Sequence, residues 1–266
     1  MPIEENGTHK ILEANKLQIG YYHKKKSNIV ASDISFSFGK GKLVAIVGAN
    51  GVGKSTLLRS ISGVQPLLKG EVYINKKDLK NYKPVQLAGA LSIVLTEQLP
   101  SANLTVNEVV ALGRQPYTNW IGSLTDEDGA KITEALKLIN IFNLRDKKCF
   151  ELSDGQLQKV MIARALAQQT PLIILDEPTT HLDIYHKAYI LKLLKKITAE
   201  TGKTILFSSH EIELAIQLCD HMLVMMPDKI CFGDPCELIK EKVFDSLFPE
   251  NLITFEPETG TFRIKK

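Results

Sequence analysis

The stretch Gly48-Ala49-Asn50-Gly51-Val52-Gly53-Lys54-Ser55-Thr56 has the residue types and spacing to hold a phosphate. It reads Gly-x-x-x-x-Gly-Lys-Ser, follows the apolar run Leu43 to Val47 and opens a helical stretch, the strand-turn-helix context in which this pattern carries its chemistry. Gly48, Gly51 and Gly53 let the backbone close on a phosphate with N–H groups pointing inward. The helix opening near Lys54 adds the positive end of its dipole. In this pattern Lys54 reaches the β- and γ-phosphates and Ser55 gives a hydroxyl to Mg²⁺, with Asn50 and Thr56 completing the loop. A second group lies far downstream, where Leu172-Ile173-Ile174-Leu175 ends in Asp176-Glu177-Pro178. A carboxylate at the tip of a buried strand beside such a loop can hold the hydration shell of Mg²⁺, a role for Asp176. Glu177 is then placed to polarise an attacking water. On its own the acidic pair would also suit a strand-end turn; its coincidence with the upstream loop favours catalysis.

These groups need a scaffold. Leu43 to Val47, Leu172 to Leu175 and Thr204 to Ser208 are nearly continuous apolar runs, as expected of parallel strands covered on both faces. Lys16 to Tyr22, Ile34 to Phe38 and Glu71 to Ile74 alternate apolar and polar residues, as half-buried antiparallel strands do. Helical stretches are expected at Thr56–Ser62, Asp126–Ile141, Gln156–Gln168, Tyr185–Ala199 and Glu211–Leu218. Strands alternating with helices predict a wound α/β core over about 11–98 and 154–233. A mainly helical insertion is expected over about 99–153 and a C-terminal extension over about 234–266.

Composition excludes several classes. A net charge of +3 on 266 residues gives no reason to expect a nucleic-acid surface. The polar stretch Met1–Lys10 lacks the apolar core of a secretory signal, and the apolar runs are too short to span a bilayer. A soluble, cytoplasmic protein is expected. Cys149, Cys219, Cys231 and Cys236 form no Cys-x-x-Cys pair and read as free thiols.

Leu152-Ser153-Asp154-Gly155-Gln156, just before a helix and upstream of Asp176-Glu177, resembles the Leu-Ser-Gly-Gly-Gln signature of the ATP-binding-cassette family. The fold implied is that of a P-loop NTPase: a RecA-like parallel-sheet core, an antiparallel β subdomain and an inserted helical subdomain. The resemblance also implies that Ser153, Gly155 and Gln156 contact the nucleotide bound to a second subunit. Asp154 departs from the family's glycine, so its carboxylate must point away from phosphate. From the residues alone, Ser153 and Asp154 read equally well as a helix cap. Leu182-Asp183 resembles the family's dimer-contact loop, which adds Asp183 to the nucleotide set. His210, after the run Thr204–Ser209, resembles the switch histidine of the γ-phosphate. Tyr21 resembles the aromatic residue that stacks on adenine, with Tyr22 the competing candidate. The family's glutamine between core and insertion falls on Glu97 or Gln98, and the count does not separate them.

Within the family the chain is most similar to ATPases of importers for iron-siderophore, haem and cobalamin complexes. That similarity rests on Thr105–Arg114 with Pro116-Tyr117, on Ser153-Asp154-Gly155 with Val160–Gln168, and on Pro178–Asp183. It implies ATP and Mg²⁺ as ligands and a head-to-tail homodimer on the cytoplasmic face of the membrane. It further implies a separate integral-membrane permease and, indirectly, a substrate-binding protein. An exporter ATPase subunit would share every catalytic motif. A soluble cassette without a transport role fits less well, since the chain has one cassette and no sustained heptads.

Overall fold

The structure, a computed structural model, describes residues 10–23, 26–95, 103–249 and 251–265. Its first elements are a long hairpin of β1 (Lys10–His23) and β2 (Lys26–Gly39), then β3 (Leu43–Gly48), α1 (Lys54–Ile61), β4 (Lys69–Ile74) and the short β5 (Lys77–Asp78). There follow α2 (Pro84–Ala90), β6 (Leu91–Val94), α3 (Val106–Ala111), α4 (Asp126–Leu138), α5 (Asp154–Ala167) and β7 (Leu172–Leu175). The chain continues through α6 (Ile184–Thr201), β8 (Thr204–Ser209), α7 (Ile212–Leu218), β9 (His221–Met225) and β10 (Ile230–Gly233). Last come α8 (Pro235–Lys240), β11 (Ile253–Glu256) and β12 (Thr261–Ile264).

The strands form an antiparallel sheet of order β2-β1-β4-β5 and a six-stranded sheet of order β10-β9-β3-β8-β7-β6. In the larger sheet β9, β3, β8, β7 and β6 are parallel, and β10 is an antiparallel edge. Period-two alternation lets each central strand serve two cores. Leu43, Ala45 and Val47 of β3 face one apolar cluster; Val44 and Ile46 face the other. Likewise Ile205 and Phe207 of β8 point one way and Leu206 the other. The first cluster takes in α3, α4, α5 and α6, and the second joins the antiparallel sheet to α1. This is the α/β fold expected, with a parallel core, an antiparallel sheet and helices.

Some boundaries differ from expectation. The helix anticipated to Ile141 stops at Leu138, because Asn140 adopts φ +58, a left-handed conformation that ends a helix. β6, β9, β10 and the β11–β12 hairpin were not among the expected strands. In β9 the run Met222-Leu223-Val224-Met225 holds one β-branched residue, so its propensity signal is weak although it neighbours β3 at the sheet centre. Beyond β10 the chain anchors through aromatic contacts: Phe255 and Phe262 lie 5.0 Å apart, and the Phe262 amide donates to Glu213 Oε1 on α7 at 2.8 Å. Cys149, Cys219 and Cys231 are buried and free, and Cys236 is exposed. Among the described residues no helix is long and apolar enough to cross a membrane.

A buried ion pair holds the helical segment against α5. Arg114 Nε donates to Asp128 Oδ1 at 2.7 Å, and its Nη1 donates to the Ala167 carbonyl at 2.8 Å. Asp128 also accepts from the Thr125 amide at 2.9 Å and hydroxyl at 2.7 Å, closing a capping box on α4. The Thr125 amide and hydroxyl, aided by Arg114, hold the Asp128 carboxyl down to about 2. A depressed folded pKa gives stability that is complete above the unfolded value near ~4 and lost as pH falls towards the folded one. Arg114→Ala should lower the melting temperature by roughly 5–10 °C, because it strips the cation from a buried carboxylate. Differential scanning calorimetry checks this, and a midpoint unchanged from wild type would show that the pair contributes nothing.

Candidate functional site

β3 runs into the loop Gly48–Gly53 and α1 leaves it, so the loop lies at the C-terminal edge of the parallel sheet, where open α/β sheets bind ligands. A Cβ on Gly48 (φ +151) would meet the Met225 carbonyl oxygen at 2.3 Å, and one on Gly53 (φ +107) would meet Val30 Cγ1 at 2.6 Å. Around Gly51 (φ +79) nothing lies within 4 Å. The first and third glycines are therefore demanded by packing and conformation, and the middle one by conformation alone, beside open space. Asn50 is exposed in that loop. Lys54 is 5% exposed, and its Nζ donates to the carbonyls of Gly48 at 2.9 Å and Ala49 at 3.1 Å. Burial pushes the Lys54 pKa down, and the nearby Glu177 and Asp176 carboxylates partly offset this.

The acidic pair meets this loop across the sheet. Asp176, buried at the end of β7, accepts from the hydroxyls of Ser55 at 3.0 Å and Ser208 at 2.7 Å. The Glu177 amide donates to the same Ser208 Oγ at 2.8 Å. Glu177 adopts φ +49, a left-handed conformation that costs a non-glycine residue about 1–3 kcal/mol and is typical of functional turns. Its Oε2 accepts from Thr180 Oγ1 at 3.0 Å, and its Oε1 lies 2.8 Å from His210 Nε2. His210 Nδ1 lies 3.5 Å from Lys54 Nζ. An ammonium only donates, so Nδ1 accepts and the ring proton sits on Nε2, donating to Glu177; this tautomer follows from the network. Burial pushes the Glu177 carboxyl up, but bonds from His210 and Thr180, with the charge of Lys54, bring it below the ordinary glutamate value.

The site fits a magnesium nucleotide. Ser55 Oγ and Asp176 Oδ1 are hard oxygen donors held together at the loop. Mg²⁺ favours one or two protein oxygens, with phosphate and water filling the other positions. Among the described residues no group of three His, Cys, Asp or Glu side chains could hold a metal on its own.

The other expected residues fall in separate places. Tyr21 and Tyr22 are both exposed and both line a cavity of ≈ 320 Å³ with Arg59, Val64, Gln65 and Pro66. Only Tyr21 reaches the phosphate loop, through its hydroxyl 2.9 Å from Thr56 Oγ1. Ser153 caps α5: its Oγ accepts from the Gln156 amide at 3.4 Å, and Gln156 Oε1 accepts from the Ser153 amide at 3.1 Å. Gly155 packs against the first turn of α6, where an added Cβ would lie 3.3 Å from His186 Cδ2. Asp183 caps α6, accepting from the His186 amide at 2.8 Å and facing the ring Nδ1 at 2.9 Å. The amide and ring of His186 hold its carboxyl below the usual aspartate range. This second cluster stands at the starts of α5 and α6, apart from the phosphate loop. Asp154 is exposed. Glu97 and Gln98 lie outside the described residues.

Several side chains at the site escaped the sequence reading. Ser208 braces both Asp176 and Glu177, and Thr180 orients Glu177. The one available signal was a hydroxyl residue following Leu206-Phe207 in a strand whose every residue is buried.

Residues 31–180 match the family described as "ABC transporter". The chain belongs to that family. As an ABC ATP-binding protein it binds and hydrolyses ATP. An uncharacterized ABC transporter ATP-binding protein of Methanocaldococcus jannaschii is 38% identical over 96% of this chain and 87% of its own length. The iron(3+)-hydroxamate import ATP-binding protein FhuC of Bacillus subtilis is 37% identical over 94% of this chain and 92% of its own. Among solved structures, a dimeric ATP-binding cassette in a post-hydrolysis state with ADP and Pi matches with a TM-score of 0.72 and 27% identity, over 84% of this chain and 98% of that one. This ABC cassette thus places its phosphate loop, acidic pair and His210 in one cluster, and Ser153, Gly155, Gln156 and Asp183 in another.

Proposed function

We propose that the chain is the ATPase subunit of an importer for an iron-siderophore, haem or cobalamin-type complex. It works as a head-to-tail homodimer under a separate permease, on the cytoplasmic face of the membrane. The observation that carries the ATPase part is the continuous network Lys54–His210–Glu177 beside Ser55–Asp176. The import part is supported by the 37% identity, over nearly the whole length, to a protein named for iron(3+)-hydroxamate import.

In this reading Lys54 and the loop amides bind the β- and γ-phosphates, and Tyr21 stacks on adenine. Ser55 and Asp176 hold Mg²⁺, which supplies charge neutralisation on the phosphates. Glu177, ionised and left-handed at the tip of β7, accepts a hydrogen bond from the attacking water and orients it. His210 bridges Glu177 and Lys54 and touches the γ-phosphate. Each chain carries one loop cluster and one Ser153–Asp183 cluster, so a complete site needs the partner's second cluster. ATP closes the pair, and loss of the γ-phosphate contacts lets it open. The insertion expected over about 99–153 carries that motion to the permease.

Purification of the tagged chain from its own membranes tests the transport reading. A co-purifying polytopic permease together with a binding protein is the expected result. A fused exporter subunit, or ribosomal or DNA-bound partners without a permease, would overturn it and leave the ATPase chemistry intact.

A further inference from the structure

The turn that carries His210 is held from outside the nucleotide site. Glu211 occupies the N-cap of α7, and its side chain makes no capping bond there. Its carboxylate turns away to Lys187, with Nζ to Oε1 at 2.6 Å and both side chains about three-quarters buried. Lys187 stands in the first turn of α6, its amide bonded to the Asp183 carbonyl at 2.9 Å. At the other end, the Glu211 amide donates to Ser209 Oγ at 2.9 Å, and the Ile212 amide to the His210 carbonyl at 3.1 Å. The ring of His210 is itself 38% exposed, so burial does little to hold it.

From this geometry we infer that Lys187, through its ion pair with Glu211, is a positioning residue for His210. The pair pins the Ser209–Ile212 turn to the first turn of α6 and so holds the imidazole on Glu177 and Lys54. The inference rests on the role proposed above for His210. It also gives that histidine a fixed link to Asp183, one helical turn before Lys187.

The test measures ATP turnover by the full chain in five forms: wild type, Lys187→Met, Lys187→Arg, His210→Ala and the Lys187→Met, His210→Ala double variant. Lys187→Met should lower kcat about 10-fold with KM for ATP within about twofold, since a displaced imidazole costs turnover while the phosphate loop is untouched. Lys187→Arg should restore most of the rate, and Lys187→Met should add no further loss in a His210→Ala background. Wild-type turnover in Lys187→Met alongside a crippled His210→Ala overturns this inference and leaves the histidine reading standing. Unimpaired His210→Ala overturns the histidine reading itself. Equal losses in Lys187→Met and Lys187→Arg with a lowered melting temperature would assign the pair to the fold rather than to His210.

Discussion

Glu177→Gln is expected to bind ATP with unchanged affinity, turn over about 10²–10⁴-fold more slowly and accumulate as a closed, ATP-loaded dimer. The substitution is nearly isosteric. An amide oxygen still accepts from His210 Nε2, now 2.8 Å from Oε1, and the Thr180 hydroxyl, which donates to Oε2 at 3.0 Å, can instead accept from the new amide nitrogen. The left-handed backbone at Glu177 and the bond from its amide to Ser208 are untouched. What disappears is the negative charge that the surrounding donors hold ionised and that, in the role proposed above, polarises water. Single-turnover kinetics would report the lost chemistry, and size-exclusion chromatography with and without ATP would report the dimer. Turnover near the wild-type rate would remove Glu177 from its assigned role.

Lys54→Ala should weaken ATP binding by about 10- to 10⁴-fold, since one or two charge-assisted hydrogen bonds, each about 1.5–3 kcal/mol, are lost. Lys54 is a buried cation whose pKa is pushed down by burial, so its charge already sits in a desolvated loop before phosphate arrives. A charge held there interacts strongly with an anion because little water screens it. The same burial implies that removing the ammonium need not unfold the protein. Without nucleotide the melting temperature should stay close to wild type, while the rise that ATP produces in the wild type should vanish. Isothermal titration and thermal melts together separate the outcomes. An unchanged Kd would contradict the phosphate-loop assignment, and a collapsed melting temperature without nucleotide would make Lys54 a structural cation.

How much of this was legible beforehand differs from element to element. The loop 48–56 and the strand ending in Asp176-Glu177 were plain, because their residues are neighbours in the chain and their chemistry needs only local conformation. β3, β7 and β8 were plain for a related reason: burial on both faces leaves an unbroken apolar run. β6 and β9 were not: Ser92 interrupts the apolar run of β6, β9 holds a single β-branched residue, and sheet neighbours decide their state. The choice between Tyr21 and Tyr22 was beyond the sequence as well. Both rings line one cavity, and only the hydroxyl bond to Thr56, which reaches across 35 residues, singles out Tyr21 as the one in contact with the loop.

The amino-acid order by itself determined the chemistry available to this protein: a glycine-lined phosphate loop with its lysine and serine, an acidic pair at a strand tip, and a signature helix start. Each is written in consecutive residues, and local backbone preferences suffice to express it. Tertiary structure alone decided the wiring among them. Ser208 braces Asp176 and Glu177 from a neighbouring strand, His210 joins Glu177 to Lys54, and Lys187 holds the turn bearing His210 through Glu211. Those contacts link residues 24 to 156 positions apart. No local pattern encodes them, because their geometry is set by how the parallel strands and α6 pack together.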